Sequence, residues 1–182
     1  MGELLGEEIL SQEPLITLSM VVKNEANRYL KQVLLSVKPF IAHAVIVDDA
    51  STDNTVEVCR EILFPIPLTL VINASSKFSN EVELRKQQWE ETIKTDPEWI
   101  LSLDADEVFE DKFKDNIKPL LAKSKVDVYY FRLYDFWDQD HYREDRFWMA
   151  HLYYRPYLVR YKKNVKYEWE EVPQHCGRFP KT

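Results

Sequence analysis

A length of 182 residues and a hydrophobic content of 45% predict one globular domain of ordinary size. The formal net charge of −7 argues against a nucleic acid as the main partner, although not against a nucleotide held through a metal ion. Cys59 and Cys176 have no metal-binding or redox spacing, and neither a signal peptide nor an apolar run of membrane-spanning length is found, which predicts a cytoplasmic protein without a transmembrane segment.

The first 110 residues alternate between apolar runs and amphipathic segments, after an acidic lead-in over residues 1–13. Four apolar runs are predicted to be strands, at residues 15–22, 44–47, 68–72 and 99–103. Three segments between them are predicted to be helices, at residues 30–37, around Val56, Cys59 and Leu63, and at residues 80–93. Pro39 should close the first helix, and Asn54 and Glu57 are spaced like a capping box for the second. This alternation predicts βαβ units and a largely parallel sheet.

The third predicted helix carries two cations among its apolar positions. Val82, Trp89 and Ile93 share one face, and Arg85 and Lys86 fall between them. A cation on a packing face needs either a long reach to solvent or an anionic partner. Two interpretations therefore stay open: the side chains reach solvent over the sheet edge, or they bind an anion such as a nucleotide phosphate or contact a base edge.

The fourth predicted strand runs directly into three carboxylates, Asp104, Asp106 and Glu107. In an open α/β sheet these would lie at the carboxyl edge, where such sheets bind their ligands. Asp104 and Asp106 would point to the same side of an extended chain and repel each other unless a cation lies between them. A hard divalent ion bound by one or two carboxylates and by phosphate oxygens would relieve this repulsion. The alternative is a solvated acidic helix cap.

The composition changes near residue 110, which we interpret as a boundary between two halves of one domain, residues 14–110 and residues 111–182. The apolar spacing from Phe113 to Leu121 predicts a helix, which Pro119 should kink or divide.

Two aromatic strands are predicted in the second half, at residues 126–137 and 151–161. The first should be antiparallel and near an edge of the sheet. A polar loop at residues 138–146 separates them.

Three segments together resemble the three hallmarks of family 2 glycosyltransferases with the GT-A fold. They are Ser19–Glu25 (SMVVKNE), Val47–Thr55 (VDDASTDNT) and Leu103–Glu107 (LDADE), in the family's order. The tail Glu171–Arg178 (EVPQHCGR) also resembles bacterial members. The resemblance implies an α/β GT-A fold, a Rossmann-like three-layer sandwich with a largely parallel central sheet and an antiparallel, aromatic-rich second half. Residues 14–110 would then bind the nucleotide-sugar and metal, and residues 111–182 would form the acceptor side.

The resemblance also implies a metal-dependent, inverting transfer of a sugar from a nucleotide-sugar, usually UDP-linked, to a saccharide, lipid-linked or protein acceptor. Asp49 matches the aspartate that holds the base, and Asp104 the one that reaches the ribose or a metal-bound water. Asp106 matches the direct ligand of Mn²⁺ or Mg²⁺, with His175 as a further ligand and Asp104 touching the ion directly or through water. The predicted nucleotide-sugar-binding residues are Val21, Asn24, Glu25, Asp48, Asp49, Ser51, Arg85, Asp104 and Ala105.

An inverting transfer needs a carboxylate base within hydrogen-bond reach of the acceptor hydroxyl. Asp145 is the first choice, because the segment Arg143–Asp145 falls in the region of the family's acidic acceptor motif, and Glu144 and Asp138 are the other candidates. The aromatic rings of the second half either stack on sugar faces or form an ordinary sheet core.

Two other functions stay open. A catalytically silent module would keep the nucleotide pocket and lack a working acceptor half. A nucleotidyltransferase would also use paired carboxylates and Mg²⁺, but it normally has a Gly-rich basic loop after its first strand, and residues 23–25 (KNE) do not form one. Peripheral membrane association also stays open, because many relatives continue with helices that complete the acceptor site or associate with a membrane.

Overall fold

The computed structural model describes residues 15–182, so the predicted lead-in over residues 1–13 lies outside the described residues. Within this part the strands are β1 (Ile16–Val22), β2 (His43–Asp48), β3 (Leu68–Ile72), β4 (Trp99–Ser102), β5 (Val128–Arg132) and β6 (Tyr154–Arg160). The α-helices are α1 (Leu30–Val37), α2 (Thr55–Leu63), α3 (Glu81–Ile93) and α4 (Phe113–Leu121). Short 3-10 helices occupy Lys38–Phe40 and Ala150–Leu152. Among residues 15–182, no helix is long and apolar enough to cross a membrane.

The strands form one sheet in the order β3-β2-β1-β4-β6-β5. β1 pairs in parallel with β2 and with β4, and β2 pairs in parallel with β3, which confirms the predicted βαβ arrangement. β6 is antiparallel to β4, and β5 lies antiparallel to β6 at the edge of the sheet. Both aromatic strands are shorter than predicted, because the chain leaves the sheet after Arg132 and rejoins it at Tyr154.

Helices cover both faces of this sheet. Ile16 and Leu18 of β1 are buried in one hydrophobic core with apolar side chains of α1, α2 and α4. The alternate positions of β1 face α3, where Ser19 Oγ lies 2.7 Å from Thr92 Oγ1 and accepts a hydrogen bond from Gln88 Nε2 at 3.0 Å. Since side chains alternate across a strand, this arrangement gives the predicted three layers.

One local prediction is corrected by the structure, and the alternatives in another are narrowed. Asn54 occupies the N-cap position of α2, but its side chain makes no capping bond, and Asp53 Oδ1 accepts a hydrogen bond from the Thr55 backbone N–H at 3.0 Å instead. Pro119 lies inside α4, and the helix continues through it to Leu121, which is buried in the core. The first difference arises because Asp53 reaches the first turn of α2 from the preceding loop.

Five loops meet at one edge of the sheet. The parallel strands β1, β2, β3 and β4 all end there. Because β6 runs in the opposite direction, the connection from β5 to β6, residues 133–153, lies at the same edge. This carboxyl edge is where open α/β sheets place their ligand sites.

Candidate functional site

Hydrogen bonds join the loops that follow β1 and β2. The Asn24 backbone N–H donates to Ser51 Oγ at 2.9 Å, and the Thr52 backbone N–H donates to Asn24 Oδ1 at 2.8 Å. Two more bonds run from the Glu25 N–H to Thr55 Oγ1 at 2.7 Å and from the Ala26 N–H to Asp53 Oδ2 at 3.2 Å. Asn24 and Ser51, which were predicted to bind the nucleotide-sugar, therefore make hydrogen bonds that hold these two loops together.

Asp49 is buried and anchors a third loop, the one after β3. Its Oδ1 accepts hydrogen bonds from the Lys77 N–H at 2.8 Å and from Asn73 Nδ2 at 3.3 Å, and its Oδ2 accepts one from Ser76 Oγ at 2.5 Å. Burial by itself would raise the pKa of Asp49, but these bonds, with Lys23 Nζ at 3.8 Å, lower it below its ordinary value. A carboxylate has about four acceptor positions, so this charged group still has one for a ligand.

Asp48, the preceding residue, points to the other face of the sheet. It is fully buried, and its Oδ2 accepts a hydrogen bond from the Ser51 N–H at 3.0 Å, while Oδ1 has no partner among the described residues. Burial, reinforced by the charge of Asp48, raises the pKa of the Cys59 thiol in α2 to about 12. The structure therefore places Asp48 against α2 rather than beside Asp49. Val21, another predicted binding residue, is half-buried at the end of β1.

Two arginines converge on Asp104 at the end of β4. Arg85 Nη2 donates to Asp104 Oδ1 at 3.2 Å, and Arg178 Nη2 donates to Asp104 Oδ2 at 2.8 Å. We call Arg85 and Arg178 the guanidinium clamp. Arg85 also contacts Glu81 and Gln88 of its own helix, so its charged head lies at the site and not in solvent. The anion it contacts is a carboxylate of the protein itself.

Glu107 completes this network beneath the clamp. Its Oε1 accepts hydrogen bonds from Arg178 Nη2 at 2.5 Å and from the Tyr157 hydroxyl at 2.9 Å, and its Oε2 accepts one from the Asp104 N–H at 2.9 Å. The Arg178 guanidinium also lies over the Tyr157 ring, 4.7 Å from the centroid. The Arg178 side chain is only 13% exposed, and its buried Nη1 has no partner within residues 15–182. One donor of the clamp is thus unused.

The C-terminal segment, residues 171–178, brings Arg178 to this position by packing on the start of α3. The Glu81 N–H donates to the Pro173 carbonyl at 2.7 Å, and the His175 N–H donates to Glu81 Oε2 at 2.7 Å. Lys86, the second cation of the α3 prediction, pairs with Glu171 at 2.7 Å. The second half of the chain folds back to the strand ends. The residue that reaches Asp104 is Arg178, for which the sequence predicted no role.

The predicted metal ligands are not gathered into a cluster. Within residues 15–182, no group of three or more His, Cys, Asp and Glu side chains is arranged to hold a metal ion. Asp104 is already neutralised by two guanidinium groups, and His175 is exposed and contacts Glu81 through its backbone. Asp104 and His175 therefore fit a metal poorly in this conformation.

Asp106 and Glu25 fit a divalent cation better. Asp106 is exposed beyond the buried Ala105. Burial raises the pKa of Glu25, partly offset by Arg28, and the charge of Asp106 raises it further. Glu25 Oε2 is buried and has no partner in the described part of the chain. Carboxylate oxygens are the hard donors that Mg²⁺ and Mn²⁺ prefer, which makes Asp106 and the unpaired oxygen of Glu25 the candidates for holding an ion.

The three carboxylates considered as the base lie in the connection from β5 to β6, and their contacts differ. Asp145 accepts hydrogen bonds on both oxygens, from Arg143 Nε at 3.0 Å and from the Phe147 N–H at 2.7 Å, and these contacts lower its pKa. The pKa of Asp138 is lowered by the Asp140 N–H and by His141, whose Nδ1 lies 2.9 Å from Asp138 Oδ1.

Glu144 is the least engaged of the three. Its Oε2 accepts one hydrogen bond from the Tyr142 hydroxyl at 3.2 Å, and its Oε1 lies 3.7 Å from Nε2 of the buried His151. Glu144 therefore has more acceptor positions open to a ligand than Asp145, both of whose oxygens are held within its own loop.

Comparisons with known proteins identify the family and the fold of this chain. The sequence profile of the family described as Glycosyl transferase family 2 matches residues 17–178. S. aureus TarS has 17% sequence identity and a TM-score of 0.55, over 65% of this chain and 21% of that chain. TarS 1-349 in complex with UDP has 18% identity and a TM-score of 0.52, over 63% of this chain and 34% of that chain. A comparison with curated proteins found no match.

At this identity the structural likeness establishes the fold, and it confirms the α/β GT-A architecture predicted from the three segments. The chain spans about a third or less of the length of the TarS chains that it matches. The family profile, by contrast, covers most of the described residues. The chain belongs to glycosyl transferase family 2.

Proposed function

We propose that this chain carries the donor site and the acceptor base of an inverting glycosyltransferase that uses a UDP-linked sugar and a divalent cation. The observation that carries the proposal is the convergence of Asp49, Asp104 and the guanidinium clamp at one sheet edge in a member of this family. The crystal structures of TarS 1-349 with UDP and with UDP-GlcNAc support a uridine diphosphate donor.

In this proposal the donor lies across the ends of β1, β2 and β4. Asp49 accepts a hydrogen bond from the base or the ribose at its remaining acceptor position. Arg85 and Arg178, which pair with Asp104, carry positive charge beside the diphosphate. Charge-assisted bonds from guanidinium groups to phosphate are among the stronger hydrogen bonds in proteins.

Asp106 and Glu25 would hold Mn²⁺ or Mg²⁺ in this proposal. When bound, the ion supplies a positive charge that stabilises the leaving diphosphate. The contribution of Asp104 is to position the donor between its two arginines, because both of its oxygens already accept a hydrogen bond.

We propose Glu144 as the base in place of Asp145. In an inverting transfer, the acceptor oxygen bonds to the anomeric carbon as the bond from that carbon to the diphosphate oxygen breaks, and the acceptor proton passes to the base. A carboxylate whose pKa is lowered by an arginine is a weaker base, which disfavours Asp145. Glu144 has acceptor positions available, and the Tyr142 hydroxyl, which donates to its Oε2, helps to orient it.

The experiment that tests this function combines UDP binding with turnover. Calorimetry with UDP and MnCl₂ should show one site, and UDP-GlcNAc or UDP-glucose should be hydrolysed slowly in the absence of acceptor. A catalytically silent module would bind UDP and release no sugar. Glu144→Gln is the matched control, because it should keep UDP binding and lack the proposed base. A chain that does not bind UDP would contradict the proposal.

A further inference from the structure

We call residues 133–153, the connection from β5 to β6, the aromatic loop. Of the eighteen large hydrophobic side chains exposed in residues 15–182, nine lie in these 21 residues. The most exposed rings are those of Trp137 (77%) and Phe147 (76%). Apolar patches of this density on a protein surface mark interaction sites.

The aromatic loop is a built surface, because its rings are held by internal contacts. The Trp137 N–H donates to the His141 carbonyl and the Arg143 N–H to the Asp135 carbonyl, both at 2.8 Å. The Arg143 guanidinium lies over two rings, 5.6 Å from the Trp137 centroid and 4.8 Å from the Trp148 centroid. Trp148 Nε1 donates to Asp135 Oδ2 at 2.6 Å. Rings ordered in advance lose little entropy when a ligand packs on them.

The charge of the aromatic loop restricts its partner. Five carboxylates and two arginines give it a net charge of −3 with neutral histidines. Both arginines are engaged, since Arg143 pairs with Asp145 and Arg146 lies over the Phe147 ring at 4.5 Å. An anionic membrane, a nucleic acid or a phosphorylated ligand would be repelled by this charge. Exposed rings beside carboxylate acceptors instead complement a neutral ligand with apolar C–H faces and many hydroxyl donors.

We propose that the aromatic loop binds the acceptor, and that this acceptor is a neutral saccharide. Its apolar C–H faces pack on Trp137 and Phe147, and its hydroxyl groups donate to the exposed carboxylates of Asp140 and Glu144. The inference rests on the proposed function, because the aromatic loop lies at the same sheet edge as the donor site and contains the proposed base. It narrows the acceptor from a saccharide, lipid or protein to an uncharged sugar unit.

Saturation-transfer NMR on the full chain tests this directly. The probes are the methyl β-pyranosides of glucose, galactose and N-acetylglucosamine, with methyl glucuronide as the charged comparison. At least one neutral probe should bind, and the glucuronide should bind several-fold more weakly. Trp137→Ala and Phe147→Ala should weaken the neutral probe at least fivefold. Phe64→Ala is the matched control, because this ring is 75% exposed but lies at the opposite edge of the sheet, and it should change nothing.

Three outcomes would overturn the proposal: no binding of any neutral probe, equal binding of the glucuronide, or equal losses in Phe64→Ala and Phe147→Ala. Sedimentation with phosphatidylcholine vesicles that depends on Trp137, without saccharide binding, would assign the surface to a membrane instead. UDP titration of the same variants separates the two proposals. If the chain binds UDP but no saccharide, only the proposal for the acceptor surface is contradicted. If it binds a saccharide but no UDP, only the proposed donor function is contradicted.

Discussion

Arg178 Nη2 lies 2.8 Å from Asp104 Oδ2 and so connects the C-terminal segment to the end of β4. The same nitrogen also donates to Glu107, and the guanidinium packs over Tyr157. In the proposed donor site, Asp104 and Glu107 would otherwise place two negative charges beside the diphosphate. We therefore expect Arg178 to have a positioning role there, in addition to the structural role that its contacts show.

Replacing Arg178 with methionine should lower UDP affinity by about tenfold, or about 1.4 kcal/mol. Loss of the guanidinium leaves Asp104 and Glu107 with less compensating charge, and both would repel the diphosphate. Calorimetric titration of UDP into the variant measures the change.

Arg160→Met is the matched control for this variant. Arg160 also pairs with a glutamate, Glu98 at 2.8 Å, and also covers a ring, that of Trp99 at 4.4 Å, but it lies at the opposite edge of the sheet. Both variants should lose stability, by roughly 1–3 kcal/mol. Only Arg178→Met should lose UDP affinity, and equal affinities in the two variants would reduce Arg178 to a structural residue.

Asp49 predicts a pH-dependent contribution to stability. Because its pKa is lowered on folding, the ionised carboxylate stabilises the fold above its ordinary value of 3.8, and this contribution is lost as the pH falls through the folded pKa. Asp49→Asn should therefore cost roughly 1–3 kcal/mol in the free energy of unfolding at pH 7, and clearly less at pH 3. Urea unfolding at the two pH values measures the difference.

Asp115→Asn, at an exposed position of α4, controls for the loss of one negative charge. A stability cost of Asp49→Asn that does not change with pH would contradict the proposed contribution of the ionised Asp49 carboxylate.

Replacing each carboxylate with its amide distinguishes the roles of Glu144 and Asp145. Glu144→Gln should lower the rate of transfer by ~10²–10⁴-fold, because it removes the proposed base and leaves the donor site unchanged. Asp145→Asn should have a much smaller effect, since both of its oxygens are bound within its own loop. Initial rates with a neutral saccharide acceptor, together with UDP affinity as the control, decide between them. The reverse order of effects would restore the choice of Asp145 made from the sequence.

Asp106→Ala should abolish the dependence of UDP affinity on Mn²⁺, because it removes the carboxylate that we propose as the direct ligand of the ion. His175→Ala should have little effect, since the His175 contact with Glu81 is made through its backbone. UDP titrations in MnCl₂ and in EDTA measure the ratio of affinities for each variant. A ratio that falls equally in both variants would place His175 beside the ion after all.

The first half of the fold was predictable because its signals are local. Unbroken apolar runs marked β1, β2 and β4, and helical spacing marked α1 within a residue of its observed bounds. The second half was predicted less accurately. Its aromatic residues suit a strand and a folded loop equally well, so the strand ending at Arg132 was extended through residues that form the aromatic loop.

The site was predictable in outline, and its contacts were not. The carboxylates of Asp49 and Asp104 could be placed at the sheet edge because each follows a buried strand. Their partners come from α3, from the loop after β3 and from the C-terminal segment, and pairings across 28 or 74 positions leave no local pattern. Arg178 was the main omission, and its one available signal was its presence in the tail that resembles the family.

A crystal structure of the chain with UDP and Mn²⁺ is the most direct test of the proposed donor site. The account predicts that the base or ribose lies within about 3 Å of an Asp49 oxygen, and that the diphosphate lies between the guanidinium clamp and Asp106. UDP bound away from these residues, or a carboxyl edge left empty at saturating UDP, would contradict it.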